Sequence, residues 1–256
     1  MCLVTRNTHT SKKDISWLIQ APIAHRGLHD ISRQIPENSM PAFMGAVDRG
    51  FTIELDIRRT ADNQIVVFHD SNVLRLTGSN QEIDALPFQS IKDLRIRNTE
   101  YRIPLFSDVL KTVAGKVPIL IDIKTEKTAG VFEANIFEIL GTYSGKFAVE
   151  SFNPHTLQWF KNNAPGILRG RVAYDHHAEN FRFLRRYLVG RYLKGDAGSP
   201  DFLAYDIRCR PYWAVQFHRR RGAVILGWTA KNEKQMTACR KYFDNLMFEG
   251  FLPENA

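Results

Sequence analysis

The sequence predicts an α/β fold, a (β/α)8 TIM barrel with a small inserted subdomain after the second barrel strand. Nine short runs of apolar and β-branched residues recur along the chain, with helical or loop patterns between them. That order is expected of a mostly parallel sheet wrapped in helices. The chain has 256 residues, 44% of them hydrophobic, which suits one such barrel with a large core. Histidines and carboxylates also collect at the carboxyl ends of the apolar runs, as at His25, Asp56, His69 and Asp122. In a closed barrel all strands end on one rim, and the rim carries the chemistry.

The elements follow in order. Residues 1–20 include Lys12, Lys13 and Asp14 and hold no apolar stretch of signal-peptide length. They read as an N-terminal segment before a single domain at 21–256, and a cytoplasmic location is expected. The first strand covers 22–25. A helix follows at 38–48, with Asn38 as its N-cap and Gly50 beyond its far end. The second strand covers 51–57. The next run, 64–69, is joined to it only by Ala61-Asp62-Asn63. Three residues are too few for a parallel crossover, so this run forms a hairpin outside the ring, leaving eight barrel strands. The long connection at 71–109 holds Pro87, Pro104 and a short amphipathic piece at 90–94, and reads as an insertion over one barrel mouth. Further strands are expected at 118–124, 146–151, 168–173, 202–206, 223–228 and 245–249. Asn153-Pro154 opens one helix, since Asn caps well and Pro is tolerated at the first helical position. Another helix is expected at 232–244.

The net charge is +8, from 35 basic and 27 acidic residues. It favours anionic partners: phosphorylated metabolites, acidic lipid head groups or nucleic acid. No apolar run approaches the length of a membrane span. Cys2, Cys209 and Cys239 lack metal or redox spacing, which argues against a disulfide framework or structural zinc. Between 169 and 194, Arg169, Arg171, Arg182, Arg185, Arg186, Arg191 and Lys194 interleave with Phe and Tyr. A solvated helical face explains this stretch; the sharper alternative is peripheral contact with an anionic membrane. No recognition motif accompanies the charge, so nucleic acid is not an expected partner. His218-Arg219-Arg220-Arg221 suits a helix C-terminus, and His176-His177 reads as an exposed loop pair. The oligomeric state is left open.

Glu54 and Asp56 lie two apart on one strand and so share a face. A hard divalent cation between them is one reading; solvated charges, or ion pairs with Arg58 and Arg59, are the other. Asp122 and Lys124 repeat the arrangement, as a third metal carboxylate with a phosphate-binding cation, or as a salt bridge at a strand end. His25 and His69 end their runs, and paired histidines flanking carboxylates suit proton transfer. Asp70 is placed to orient an imidazole or to pair with a base. Arg26 suits bidentate phosphate contact, and Gly27 permits a close approach or a tight turn. Glu37 and Asn38 fit either site contacts or helix capping.

Taken together, His25-Arg26-Gly27, Pro36-Glu37-Asn38-Ser39, Glu54-Leu55-Asp56-Ile57 with Thr60 and Asp62, and Val67-Phe68-His69-Asp70 resemble the signature of glycerophosphodiester phosphodiesterases. Ile121-Asp122-Ile123-Lys124, Ser151-Phe152-Asn153 and Gly227-Trp228-Thr229 agree with it. The resemblance runs from about Ala21 to Pro253 and is most specific in its first half. It implies one divalent cation, Mg²⁺ or Ca²⁺, on Glu54, Asp56 and Asp122, with His25 and His69 as the acid/base pair. Arg26 and Lys124 would meet the phosphate, and Trp228 would line the pocket near the glycerol or pack in the core. Glu37, Asn38 and Asp70 would support these groups. The implied reaction cleaves a small-molecule glycerophosphodiester to glycerol 3-phosphate and an alcohol. A phospholipase-like action on intact or lyso-phospholipid is the alternative. Three positions depart from the family pattern: Asp122 where Glu is general, Asn63 where Gly is usual, and Glu249 where Asp is more usual.

Overall fold

The structure, a computed structural model, describes residues 13–125, 128–173, 199–209 and 212–254. Its strands are β1 (Ile23–Ala24), β2 (Thr52–Arg59), β3 (Ile65–Val67), β4 (Ile119–Ile123), β5 (Phe147–Ser151), β6 (Leu168–Ala173), β7 (Phe202–Asp206), β8 (Val224–Ala230) and β9 (Asn245–Phe248). The order β1-β9-β8-β7-β6-β5-β4-β2, closed by β1 on β2, makes an eight-strand ring. Every pairing in that ring is parallel. The remaining strand, β3, pairs antiparallel with the far end of β2. This is the expected hairpin, and Asn63 turns it at φ 62°, a conformation Asn tolerates.

The first strand is shorter than expected because Arg26 and Gly27 leave it at φ 59° and 77°. Helix α1 (Met40–Asp48) begins two residues later than predicted, with Ser39 at its N-cap. Asn38 is therefore not the cap: it stands at φ 54°, is 1% exposed, and turns its side chain to Asp56. The remaining helices among the described residues are α2 (Leu74–Thr77), α3 (Phe88–Ile91), α4 (Phe106–Val113), α5 (Val131–Leu140), α6 (Pro154–Asn163), α7 (Trp213–Arg219) and α8 (Glu233–Arg240). Asn153 caps α6 through the His155 N–H, and Asn232 caps α8 through the Gln235 N–H. The last of these is shorter than the predicted 232–244, because the chain turns to place Asp244 on the Ile225 N–H and on Arg219.

Alternation along the strands divides the core in two. Ile23, Leu120, Ala148, Leu168, Phe202, Leu226 and Met247 fill the barrel interior, where Trp17 and Leu18 join them from a short 3₁₀ turn. Such an interior is packed solid. Leu55, Ile57, Ile121 and Val149 face outward onto Phe43, Phe106, Val109 and Phe160 of the helices. A third cluster belongs to the connection between β3 and α4, where Val73, Leu76, Ile83, Ile91, Ile96 and Ile103 pack against Val66 and Phe68.

The basic stretch at 169–194 and the pair His176-His177 fall mostly outside the described residues. Arg169 and Arg171, however, lie in β6 and are buried, so these two are not part of a solvated face. His218 and Arg219 end α7, as expected. Among the described residues no helix is long and apolar enough to cross a membrane.

Candidate active site

The carboxyl ends of β1, β2, β4 and β9 bring the predicted groups together on one rim. Ligand oxygens of Glu54, Asp56 and Asp122 lie within 4.8 Å of one another, and all three residues are buried. Their register explains this: Asp56 pairs with Asp122 across β2 and β4, and Glu54 lies one inward-facing position earlier. The Arg26 N–H donates to Glu54 Oε2 at 2.8 Å, which the turn at Arg26-Gly27 makes possible. A Cβ on Gly27 would lie 2.8 Å from the backbone carbon of Ala42, so only glycine lets this turn sit against α1.

Two cations, one amide and one imidazole face the acidic cluster. Lys124 Nζ contacts Asp122 Oδ2 at 2.6 Å and Asp56 Oδ1 at 3.1 Å. Arg26 Nε is 3.3 Å from Asp56 Oδ2, and the Asn38 amide donates to the same oxygen at 2.8 Å. His25 Nε2 is 3.9 Å from Glu54 Oε2. Burial pushes the Glu54 carboxyl well above its usual range, and the charges of Asp56 and Asp122 add to that. Burial also raises Asp122, against the pull of Lys124. At Asp56 burial acts upward too, but Lys124 and Arg26 outweigh it and hold that carboxyl low. Burial would lower Lys124, yet Asp122 and Asp56 hold its ammonium above the ordinary value. Even so, Asp56 Oδ1 and Asp122 Oδ1 are buried and accept no hydrogen bond. These convergent hard oxygens fit an oxygen-seeking divalent cation.

Each histidine rests on a carboxylate. His25 Nδ1 lies 2.5 Å from Glu249 Oε2, whose other oxygen is 3.1 Å from Lys231. His69 Nδ1 lies 2.6 Å from Asp70 Oδ1. Ionised carboxylates only accept, so each Nδ1 carries the hydrogen and each Nε2 is left for other chemistry. Burial lowers both imidazoles, at His25 against the bond to Glu249 and at His69 against the charge of Asp56. Neutral imidazole at neutral pH results.

Glu37 joins the barrel to the inserted segment. It accepts from Arg26 Nη1 at 2.6 Å and from Arg75 at 2.8 and 2.9 Å. Arg75 in turn donates to Asp70 at 2.6 Å. The sequence reading missed Arg75, since nothing local marks one arginine of an insertion as a site group. It also left the role of Glu249 open. Its signal was placement at a strand end, shared with His25. Trp228 is half-buried beside the barrel core, its ring edge-on to Phe152 at 6.0 Å. Lys124 Nζ lies 5.5 Å from the same Phe152 ring. A cleft of about 480 Å³ opens beside Lys124, between Arg58, Arg59, Ser71 and Thr125.

Comparison with known proteins agrees with this geometry. The Glycerophosphoryl diester phosphodiesterase family matches residues 25–243. YhdW of Bacillus subtilis is 32% identical over 221 residues, covering 83% of this chain and 86% of its own. Lysophospholipase D GDPD1 of Rattus norvegicus is 37% identical over 117 residues, or 40% of this chain and 35% of its own. Among solved structures, an Oleispira antarctica phosphodiesterase in complex with the product sn-glycerol-3-phosphate superposes with a TM-score of 0.74. That match covers 90% of this chain and 92% of the other at 20% identity, and speaks for the fold. Because the family match begins at the first rim histidine and runs almost to the last barrel strand, the chain belongs to the glycerophosphoryl diester phosphodiesterase family.

Proposed function

We propose that the protein is a metal-dependent hydrolase that cleaves glycerophosphodiesters to glycerol 3-phosphate and an alcohol, with His25 and His69 as the acid/base pair. The matched setting of the two imidazoles carries this reading. Each Nδ1 is tied to a carboxylate, leaving each Nε2 for proton transfer beside the buried acidic cluster. Glu54, Asp56 and Asp122 would hold one Mg²⁺ or Ca²⁺, whose Lewis acidity stabilises charge on the phosphoryl oxygens. His25 Nε2 takes the proton of the attacking oxygen, from water or from a neighbouring substrate hydroxyl. His69 acts in its protonated form: the imidazolium, held at Nδ1 by Asp70, gives its Nε2 proton to the departing alcohol oxygen as that oxygen's bond to phosphorus breaks, and returns to the neutral imidazole. Arg26 and Lys124 offset charge on the phosphoryl group, and the Trp228–Phe152 pair walls the glycerol side. The net charge of +8 favours an anionic substrate.

A second reading, action on lysophospholipid, draws on the partial match to the rat lysophospholipase D. An apolar entrance is what it needs. Leu76, Leu86, Phe88 and Leu94 instead pack into the inserted segment's own cluster, and of the insertion's described leucines Leu74 alone is exposed. The smaller, water-soluble substrate is therefore favoured.

The test uses His25→Ala and His69→Ala, checked for folding by circular dichroism and assayed on glycerophosphocholine and lysophosphatidylcholine. Each variant should lose about 10²-fold or more of the wild-type turnover. Chelation should silence the wild type, with Mg²⁺ or Ca²⁺ restoring it. Unchanged turnover in either folded variant would defeat the acid/base assignment.

A further inference from the structure

Glu150 lies on β5 and is 2% exposed. Strands β4 and β5 pair with Asp122 opposite Glu150 and Leu120 opposite Ala148. Leu120 and Ala148 both face the barrel interior. Alternation therefore turns Glu150 inward at the level of Asp122, one strand further round the rim. Its Oε2 is buried and accepts no hydrogen bond. The charges of Asp122, Glu54, Lys124 and Asp56 all act on it.

The residue directly opposite it on the next strand has no side chain. Opposite Glu150 on β6 stands Gly170, where a Cβ would lie 2.1 Å from the Phe202 ring. A buried carboxylate oxygen without a partner is costly, and native structures keep such a group for a purpose. Packing is a poor purpose, because glutamate is depleted in strands and almost never fully buried unless paired.

We propose that Glu150 is a further protein ligand of the divalent cation, reaching it from β5 beside Glu54, Asp56 and Asp122. The proposal rests on the metal reading above. Glu150 adds a fourth carboxylate to the cluster that faces the ammonium of Lys124, and a divalent cation offsets the excess negative charge. An added oxygen donor also raises the coordination the protein itself supplies. That suits Ca²⁺, which takes more oxygen ligands than Mg²⁺ and sheds its water more readily.

The test is calorimetric titration of Ca²⁺ and Mg²⁺ into the metal-stripped full chain. Wild type, Glu150→Gln and Glu150→Asp are compared, with the metal-induced rise in Tm measured alongside. Glu150→Gln should weaken Ca²⁺ binding by at least about tenfold, the lower end of what outer partners of a metal site cost. The Ca²⁺-induced rise in Tm should shrink with it. Glu150→Asp should also bind more weakly, because its carboxylate is drawn back by one methylene. If Glu150→Gln does not fold, the aspartate variant alone decides. Unchanged Ca²⁺ affinity in the folded variants would overturn the proposal and leave the three-carboxylate reading standing. Wild-type affinity in Glu150→Asp would mean that the charge acts from a distance, which also overturns ligation. A wild type that neither binds nor is stabilised by either cation would overturn both readings.

Discussion

Replacing Glu37 with glutamine removes the charge that links Arg26 on the rim to Arg75 of the inserted segment. Burial alone would raise the Glu37 carboxyl. The hydrogen bonds from Arg75 and the charges of Arg26 and Arg75 override it, and the group titrates at about 2 instead of 4.5. At neutral pH that difference is worth about 3 kcal/mol of stability. Because the folded-state value is depressed, the stabilisation is complete above about pH 4.5 and is lost as pH falls toward 2. Glutamine still accepts one hydrogen bond, so Glu37→Gln should cost about 1–3 kcal/mol at pH 7. The gap to wild type should narrow by up to about 2 kcal/mol on acidification to about pH 3. Urea unfolding of both proteins over this range measures the gap directly, since their other carboxyls titrate in common. A constant gap at every pH, or none at pH 7, would refute the reasoning.

Glu249→Gln should leave the fold intact and lower kcat/KM by roughly ten- to a hundredfold, since a charge-assisted hydrogen bond is worth about 1.5–3 kcal/mol; steady-state kinetics on glycerophosphocholine decide. Gly27→Ala must place a side chain at φ 77° against the Ala42 backbone. It should lose about 1–3 kcal/mol in urea unfolding together with activity. Phe248→Ala removes a buried ring seated between Phe51 and Phe251, and should cost about 3–5 kcal/mol. A shift in denaturation midpoint too small for that range would show that the site collapses around the missing ring.

Much of this architecture is legible in the chain because it depends on local pattern. Alternating apolar runs mark the strands, and the short link Ala61-Asp62-Asn63 alone separates β3 from the ring. Glu54 and Asp56 declare a shared face by spacing. What escaped was decided by contacts between distant segments. Asn38 has the chemistry of a helix cap, yet a carboxylate on the next strand captured its amide. Leu76 and Phe88 carry no local sign of whether an insertion exposes or buries them; their packing with Phe68 and Val66 depends on how the segment folds back. Arg75 became a site residue because the inserted segment folds back over Glu37 and Asp70, an event with no signature in the residues around it.

The barrel closes by laying its final strand beside its first, so the His25–Glu249 contact spans 224 positions of chain. Asn245 reinforces the seam by donating to the carbonyls of Leu18 and Ala21. During vectorial synthesis, the imidazole leaves the ribosome long before the acid that orients it. A nascent chain halted after β8 would carry both histidines and the acidic trio but no anchor for His25. Catalytic competence should thus arrive late and abruptly, with the seam, and an arrested-chain activity series would report the timing of ring closure.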